Sequence, residues 1–175
     1  MGTFAQAVAF ATEAHRGMTR KDKEASPYIN HPLAVVAILV EEGGIADCAT
    51  LCAAILHDTI EDTGTTHGEL VERFGREVAD IVREVSDDKR FDKQVRKDLQ
   101  IAHTAYASPR AKLVKLADKI ANMRDILDRP PVGWSGDRKR EYFDWASRVV
   151  LGIRGTHPDL ESIFDSVHRR RAELT

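Results

Sequence analysis

Numbered from 53 to 63, the stretch that decides the fold reads Ala53-Ala54-Ile55-Leu56-His57-Asp58-Thr59-Ile60-Glu61-Asp62-Thr63. His and Asp pack poorly in an apolar interior unless a partner offsets the cost of burying them. A divalent metal is one such partner, because it binds both imidazole nitrogen and carboxylate oxygen. On a helix, Glu61 and Asp62 follow one turn after His57 and Asp58 and face the same cavity. The alternative is a helix end with a solvated acidic tail, and this stretch alone does not decide between the two.

Helical periodicity also dominates the rest of the chain. Apolar residues recur with helical spacing, and no segment has the alternation of a convincing strand. The helix that contains Leu33 to Val40 is apolar on all sides, so we expect it to be buried. We predict an all-α fold, a single-domain bundle of about eight or more helices. Capping side chains are predicted at Asn30, Asp47, Thr66, Ser108, Ser135 and Thr156.

Composition and charge narrow the class of protein. The 175 residues are 42% apolar and 31% charged, which is typical of one globular domain. A net charge of −2 argues against a nucleic-acid surface, although a small phosphorylated ligand needs only a local basic pocket. No segment has the apolar length of a membrane span, and the N-terminus lacks the pattern of a signal peptide.

The two cysteines, Cys48 and Cys52, are i and i+4 on one predicted helix. This spacing predicts two buried thiols rather than a disulfide framework, with a redox or metal role as the weaker alternative. Together with the other bulk properties, it indicates a cytoplasmic protein.

Two further residues extend the set of candidate metal ligands. His31 stands at the start of a predicted buried helix, and Asp118 lies beside the apolar stripe of a later one. A carboxylate at such a place needs a partner, whereas a lone His there is usually structural. With His57 and Asp58 these residues make two imidazoles and two carboxylates, a set that suits Mn, Fe or Zn. Spacing alone does not prove that the four converge.

A dense charge run, Arg20-Lys21-Asp22-Lys23, lies in a predicted loop from Met18 to Tyr28. On its own, such a run is most simply explained as solvated surface.

Several motifs together resemble those of a known family. The order His31, then His57-Asp58, then a distant Asp118 resembles the signature of the HD metal-dependent phosphohydrolases. The similarity extends to the hydrolase domain of RelA/SpoT proteins and, near the C-terminus, to stand-alone small hydrolases of the metazoan SpoT homologue type. HD alone is a weak signal, but the combination is specific and covers nearly the whole chain. The motifs that carry the similarity are Arg20-Lys21-Asp22, Tyr28-Ile29-Asn30-His31-Pro32, residues 57–63, residues 112–122, Gly133-Trp134-Ser135 and residues 141–146.

The resemblance implies an HD-type hydrolase domain over residues 1–175 that removes the 3′ pyrophosphate from guanosine tetraphosphate and pentaphosphate, with Mn²⁺ as cofactor. Other divalent metals are compatible with the same ligands. The resemblance implies that Glu61 and Asp62 are the catalytic pair. It also implies that the charge run at residues 20–23 belongs to a substrate-binding loop rather than to solvated surface. The implied metal ligands are His31, His57, Asp58 and Asp118. The implied substrate-binding residues are Arg20, Lys21, Lys93, Asn122, Arg138 and Tyr142.

The resemblance leaves alternatives open. An HD phosphohydrolase acting on another phosphorylated nucleotide, such as the 2′-phosphate of NADPH, would use the same kind of contacts. A non-catalytic nucleotide sensor would usually lose a ligand or the acidic pair, and this chain keeps all six residues. The synthetase and regulatory regions of long RelA/SpoT proteins are absent, so we do not expect synthesis. The sequence does not determine the oligomeric state.

Overall fold

The computed structural model describes residues 2–175, and over this range the regular secondary structure is helical apart from one isolated antiparallel bridge between Thr19 and Pro27. The predicted all-α fold is confirmed. The helices are α1 (Gly2–Ala14), α2 (Asn30–Ala37, continued by a π-helical turn, Ile38–Glu42), α3 (Cys48–Leu56), α4 (Thr59–Asp62), α5 (His67–Phe74), α6 (Arg76–Val85), α7 (Lys93–Thr104), α8 (Pro109–Asp128), α9 (Gly136–Leu151) and α10 (Pro158–Arg169, continued by a 3-10 turn, Arg170–Glu173).

Two helices, α3 and α8, carry the core. α3 packs against α1, α2, α6 and α8, and α8 packs also against α2, α6, α9 and α10. Every residue from Cys52 to Leu56 is fully buried, as are Leu116 and Ile120 on α8. Because both helices lie inside the bundle, side chains at the end of α3 and in the middle of α8 share one interior region.

Most predicted helix caps are confirmed. In each case a side-chain oxygen accepts a hydrogen bond from the backbone N–H three residues later, which satisfies a group that the helix leaves unpaired. The confirmed caps are Asp47, Thr66, Ser108 and Ser135.

Two predicted caps, Asn30 and Thr156, are wrong. α2 already includes Asn30, because the preceding turn closes with a hydrogen bond from the Asn30 N–H to the carbonyl of Pro27. α10 is capped by His157, whose side chain accepts from the N–H of Leu160, and Pro158 fills the first helical position.

The helix of the His57 stretch ends earlier than the periodicity predicts. α3 stops at Leu56, and the separate turn α4 carries the acidic pair. The Thr59 hydroxyl donates to the carbonyl of Leu56 at 2.7 Å, and His57 Nδ1 bonds to the carbonyl of Ala54 at 2.8 Å. Such side-chain bonds compete with the helical ladder. The i, i+4 argument from one continuous helix is therefore wrong, although the polar side chains still reach one cavity.

Burial corrects two more expectations. α2 is not buried all round, since Leu33 and Val40 are 42% and 43% exposed on the outer side of the bundle. Of the two thiols, Cys52 is buried but Cys48, in the first turn of α3, is exposed. Among residues 2–175, no helix combines the length and apolar character that crossing a membrane requires.

Candidate active site

The structure brings the four candidate ligands together at the centre of the bundle. Asp118 Oδ1 lies 3.1 Å from His31 Nε2 and 3.7 Å from His57 Nε2. Asp58 Oδ2 lies 3.1 Å from His57 Nε2 and 3.8 Å from His31 Nε2. We call these four residues the ligand cluster. They come from α2, from the α3–α4 junction and from α8, so the cluster depends on the packing of these elements.

The hydrogen bonding of His57 fits a metal ligand. Its Nδ1 bonds to the carbonyl of Ala54 at 2.8 Å, which places a proton on Nδ1 and leaves Nε2 facing the carboxylates. That Nε2 is buried and finds no hydrogen-bond partner among residues 2–175, although carboxylates lie around it. A buried, unpaired nitrogen that faces two carboxylates is what a divalent ion would satisfy.

Charges in the cluster favour ionised carboxylates. Burial opposes the charged form of His57, but Asp58 and Asp118 outweigh it and raise the pKa of His57 to about 9. Burial likewise opposes ionisation of Asp118, yet Lys119 and the two imidazoles hold its pKa well below the usual range. Burial also opposes ionisation of Asp58, but His57 and His31 lower its pKa, so both carboxylates are ionised and able to bind a cation.

Two neighbours on α8 orient Asp118. The Lys119 ammonium donates to Oδ2 at 2.8 Å, and the Asn122 amide donates to Oδ1 at 2.6 Å. Lys119 is only 4% exposed and also lies 4.6 Å from the ring centre of Trp145. Asp118 and Lys119 thus form a buried pair whose members depend on each other. Lys119 lies within the motif of residues 112–122, whose pattern predicts no role for it.

Tyr28 links the ligand cluster to the acidic pair. Its hydroxyl lies 2.7 Å from Asp58 Oδ2 and 2.8 Å from Asp62 Oδ2. Burial, with the charges of the two carboxylates, raises the pKa of Tyr28, so the phenol stays protonated. A hydroxyl has one proton and can donate to only one of the two at a time. This role of Tyr28 is not predicted from the sequence, although a tyrosine three residues before the predicted ligand His31 is a signal for it.

Different elements hold the two members of the acidic pair. Glu61 accepts from the backbone N–H of Asp87 at 3.1 Å and from Arg96 Nη1 at 3.3 Å. Asp62 is bonded by Tyr28 and Lys89. Burial raises the pKa of Glu61, and although the Asp87 N–H opposes this shift, the charges of nearby carboxylates add to it. Glu61 can therefore take up a proton more easily than an exposed glutamate.

A second cavity opens beside the ligand cluster, between the loop of residues 18–28 and the loop of residues 129–134. We call it the loop cleft. Its volume is about 360 Å³, against about 160 Å³ for the cavity around the ligand cluster. Both cavities are lined by Arg20, Tyr28, Asp62 and Asn122, so they adjoin. A larger cavity of about 830 Å³ lies between α1 and α5 and contains none of the candidate site residues.

Arg20 is held in place at the boundary between the two cavities. Its guanidinium donates to Asn122 Oδ1 at 3.2 Å and to Asp125 Oδ2 at 2.8 Å. It also lies 5.6 Å from the ring centre of Tyr28. The Val132 N–H donates to the carbonyl of Lys21 at 2.8 Å and ties the two loops together. The charge run is therefore part of a formed cleft.

The predicted substrate-binding residues divide into two groups. Arg20, Lys21, Asn122 and Tyr142 line the loop cleft. Lys93 and Arg138 line neither this cleft nor the cavity of the ligand cluster. Arg138 lies 4.4 Å from the ring centre of Trp134, which does line the cleft, so its place is at the rim.

Known proteins are similar to this chain over most of its length. The family described as HD domain matches residues 7–142. The guanosine-3′,5′-bis(diphosphate) 3′-pyrophosphohydrolase of Xenopus tropicalis is 54% identical over 160 residues, which are 91% of this chain and 89% of that protein. The enzyme of the same name from Homo sapiens is 49% identical over 166 residues, 95% of this chain and 93% of that protein.

Two further comparisons extend this similarity. The bifunctional (p)ppGpp synthase/hydrolase SpoT of Escherichia coli K12 is 35% identical over 95% of this chain, which corresponds to 24% of that protein. A solved structure described as a metazoan ortholog of SpoT that hydrolyses ppGpp superposes with a TM-score of 0.95 at 44% identity, over 99% of this chain and 98% of that one.

Proposed function

This chain belongs to the HD-domain family, and from that membership and the geometry of its site we propose that it removes the 3′ pyrophosphate of guanosine tetraphosphate and pentaphosphate. The products are GDP or GTP and pyrophosphate. The observation that carries the proposal is the meeting of two imidazoles and two carboxylates next to an acidic pair and a cleft that contains Arg20.

His31, His57, Asp58 and Asp118 are the residues that would hold the metal, and the donor set suits a divalent ion, with Mn²⁺ as our proposal. Such an ion supplies Lewis-acid chemistry, because it makes water more acidic and draws charge from phosphate oxygens. Asn122 and Lys119 keep Asp118 in a fixed orientation for this role.

Glu61 and Asp62 are proposed to handle the protons. A water oxygen forms a bond to the phosphorus at the 3′ position, and the bond from that phosphorus to the ribose 3′ oxygen breaks. Glu61, with its raised pKa, orients the water and accepts its proton. Asp62 lies at the opening to the loop cleft, where its bond from Tyr28 fixes its orientation. The departing 3′ oxygen takes up a proton and becomes the hydroxyl of the product.

The loop cleft is proposed to bind the nucleoside. Arg20 presents a planar cation that can pair with phosphate or stack on a base, and Lys21 adds a second positive charge. Tyr142 and Trp134 offer aromatic surface, with ring centres 6.2 Å apart. Lys93 and Arg138 are proposed as weaker contacts at the rim. We also propose that residues 1–175 act as one domain in the cytoplasm.

The experiment is a substrate panel with one preparation. Protein stripped of metal and reloaded with Mn²⁺ is given guanosine tetraphosphate, guanosine pentaphosphate or NADPH, and the products are separated by anion-exchange chromatography. We expect GDP or GTP with an equal amount of pyrophosphate from the first two substrates. Phosphate release from NADPH alone would overturn the assigned substrate, and binding without any product would favour a nucleotide sensor.

A further inference from the structure

The carboxylate of Glu61 is held by groups that lie far from it in the sequence. The backbone N–H of Asp87, in the connection between α6 and α7, donates to Oε2 at 3.1 Å. Arg96 Nη1, from the first turn of α7, donates to Oε1 at 3.3 Å. Each carboxylate oxygen therefore has its own donor, and the plane of the carboxylate is fixed.

α7 contributes a second side chain to this arrangement. Gln100, one turn after Arg96, donates from Nε2 to Asp87 Oδ2 at 2.7 Å. Arg96 Nη1 itself lies 4.0 Å from the same Asp87 oxygen. Arg96 and Gln100 thus fix the Asp87 segment that holds Glu61, and both side chains face inward from a helix whose outer face is highly charged.

The surroundings of Arg96 differ from those of an ordinary surface arginine. Its side chain is 24% exposed, whereas that of Arg90, in the loop just before α7, is 89% exposed and pairs with Asp88. Arg96 and Gln100 line a cavity of about 220 Å³ that shares Val85, Asp87, Gln100 and Lys115 with the cavity of the ligand cluster. Arg96 therefore stands in the wall behind the reaction site.

We infer that Arg96 is a positioning residue for the proposed reaction. It acts through Glu61, holding the carboxylate ionised and aimed at the ligand cluster. A positively charged donor at 3.3 Å favours the carboxylate over the neutral acid and restricts its rotation. The inference rests on the proposed role of Glu61, but its first test does not require turnover.

Several other charges act on Glu61 and must be kept constant in that test. Asp58 and Asp62 lie close to Glu61 in the sequence, at the start and end of α4, and Asp87 faces it from the α6–α7 connection. The negative charges of all three disfavour the ionisation of Glu61. Lys115 on α8 faces the same cavity and favours it. Replacing Arg96 leaves these groups in place and removes one positive charge.

The direct test follows the amide signal of Asp87 by two-dimensional NMR of metal-free protein as the pH is varied. This N–H donates to Glu61, so its chemical shift records the ionisation of that carboxylate. A Glu61→Gln variant identifies the step that belongs to Glu61, because that step disappears. We expect Arg96→Gln to raise the midpoint of the Glu61 step by about one pH unit. The midpoint should stay close to the wild-type value in Arg96→Lys and be unchanged in Arg90→Gln.

The kinetic test uses Mn²⁺-loaded protein and guanosine tetraphosphate. We expect Arg96→Gln to lower kcat by about 10- to 100-fold, with KM and Mn²⁺ affinity nearly unchanged.

An unchanged Asp87 midpoint in Arg96→Gln would overturn the inference, including the case in which only the melting temperature falls. If Arg96→Gln does not fold, Arg96→Lys decides the question. A midpoint and a kcat equal to those of wild type support the inference, and a kcat as low as that of Glu61→Gln contradicts it. If wild-type protein hydrolyses no substrate, the proposed function fails while the NMR result still decides the role of Arg96.

Discussion

The ligand cluster and the loop cleft share a boundary but are built in different ways. The cluster is made by side chains of packed helices, and the side chains of His31 and His57 are only 2% and 5% exposed. The cleft lies between two connecting loops and the C-terminal part of α8, and two of its side chains, Arg20 and Asp125, are 21% and 24% exposed. Buried polar groups depend strongly on one another, whereas half-buried ones can exchange partners with water. Changes in the cluster should therefore affect stability and metal binding, and changes in the cleft should affect substrate binding.

The largest effect is expected from Asp118→Ala. This change leaves Lys119 buried without its partner and removes an oxygen from the ligand cluster. We expect the free energy of unfolding to fall by about 3–5 kcal/mol, in urea denaturation monitored by circular dichroism. Asp128→Ala, at the exposed end of the same helix, is the matched control. Equal stability of the two variants would contradict a tightly coupled cluster.

Glu61→Gln should separate chemistry from binding. The amide keeps the size of the carboxylate but accepts a proton poorly, so kcat should fall by about 10²- to 10⁴-fold while Mn²⁺ binding and folding are retained. Steady-state kinetics and a Mn²⁺ titration measure the two quantities. Glu72→Gln, on the exposed face of α5, should behave like wild type. Normal turnover of the Glu61 variant would show that the acid/base role is wrongly assigned.

Arg20→Ala tests the cleft. Removing its charged hydrogen bonds should cost about 1.5–3 kcal/mol of substrate binding, a rise in KM of roughly 10- to 100-fold. Mn²⁺ affinity should stay within a factor of about two, because the hydrogen bonds of Arg20 go to Asn122 and Asp125, neither of which belongs to the ligand cluster. Arg16→Ala removes a largely exposed arginine near the same loop and serves as control. A KM equal to that of wild type would exclude the binding-loop role.

Arg138→Ala should have the smallest effect. Arg138 stacks on Trp134 at the rim and does not line the cleft. A partly exposed cation–aromatic contact contributes about 0.5–1 kcal/mol, so KM should rise only about two- to fivefold. A rise in KM as large as that of Arg20→Ala would place the substrate phosphates at the rim instead of at the boundary of the two cavities.

The same contrast explains what could be predicted from sequence. The residue types of the ligand cluster and their order predict its membership, and the structure brings all four side chains together. The residues that orient them could not be found in this way, because they depend on contacts between distant elements. Tyr28 reaches Asp58 across 30 residues, and Arg96 reaches Glu61 across 35 residues.

Some predictions of local features were right and others were wrong, for a related reason. The caps at Ser108 and Ser135 depend on nearby residues and were predicted correctly. The end of α3 depends on side-chain bonds from His57 and Thr59 to backbone carbonyls, which periodicity does not show. The exposure of Leu33 depends on where the bundle ends, which an apolar pattern does not indicate.

The most direct measurement is a titration of Mn²⁺ into metal-stripped protein, followed by electron paramagnetic resonance of the free ion. Wild-type protein should bind one ion per chain tightly, and His57→Ala should lose that binding while Arg20→Ala keeps it, since His57, unlike Arg20, has a buried nitrogen that faces both carboxylates. Equal Mn²⁺ binding by wild type and His57→Ala would contradict the claim that these four side chains hold a common ion.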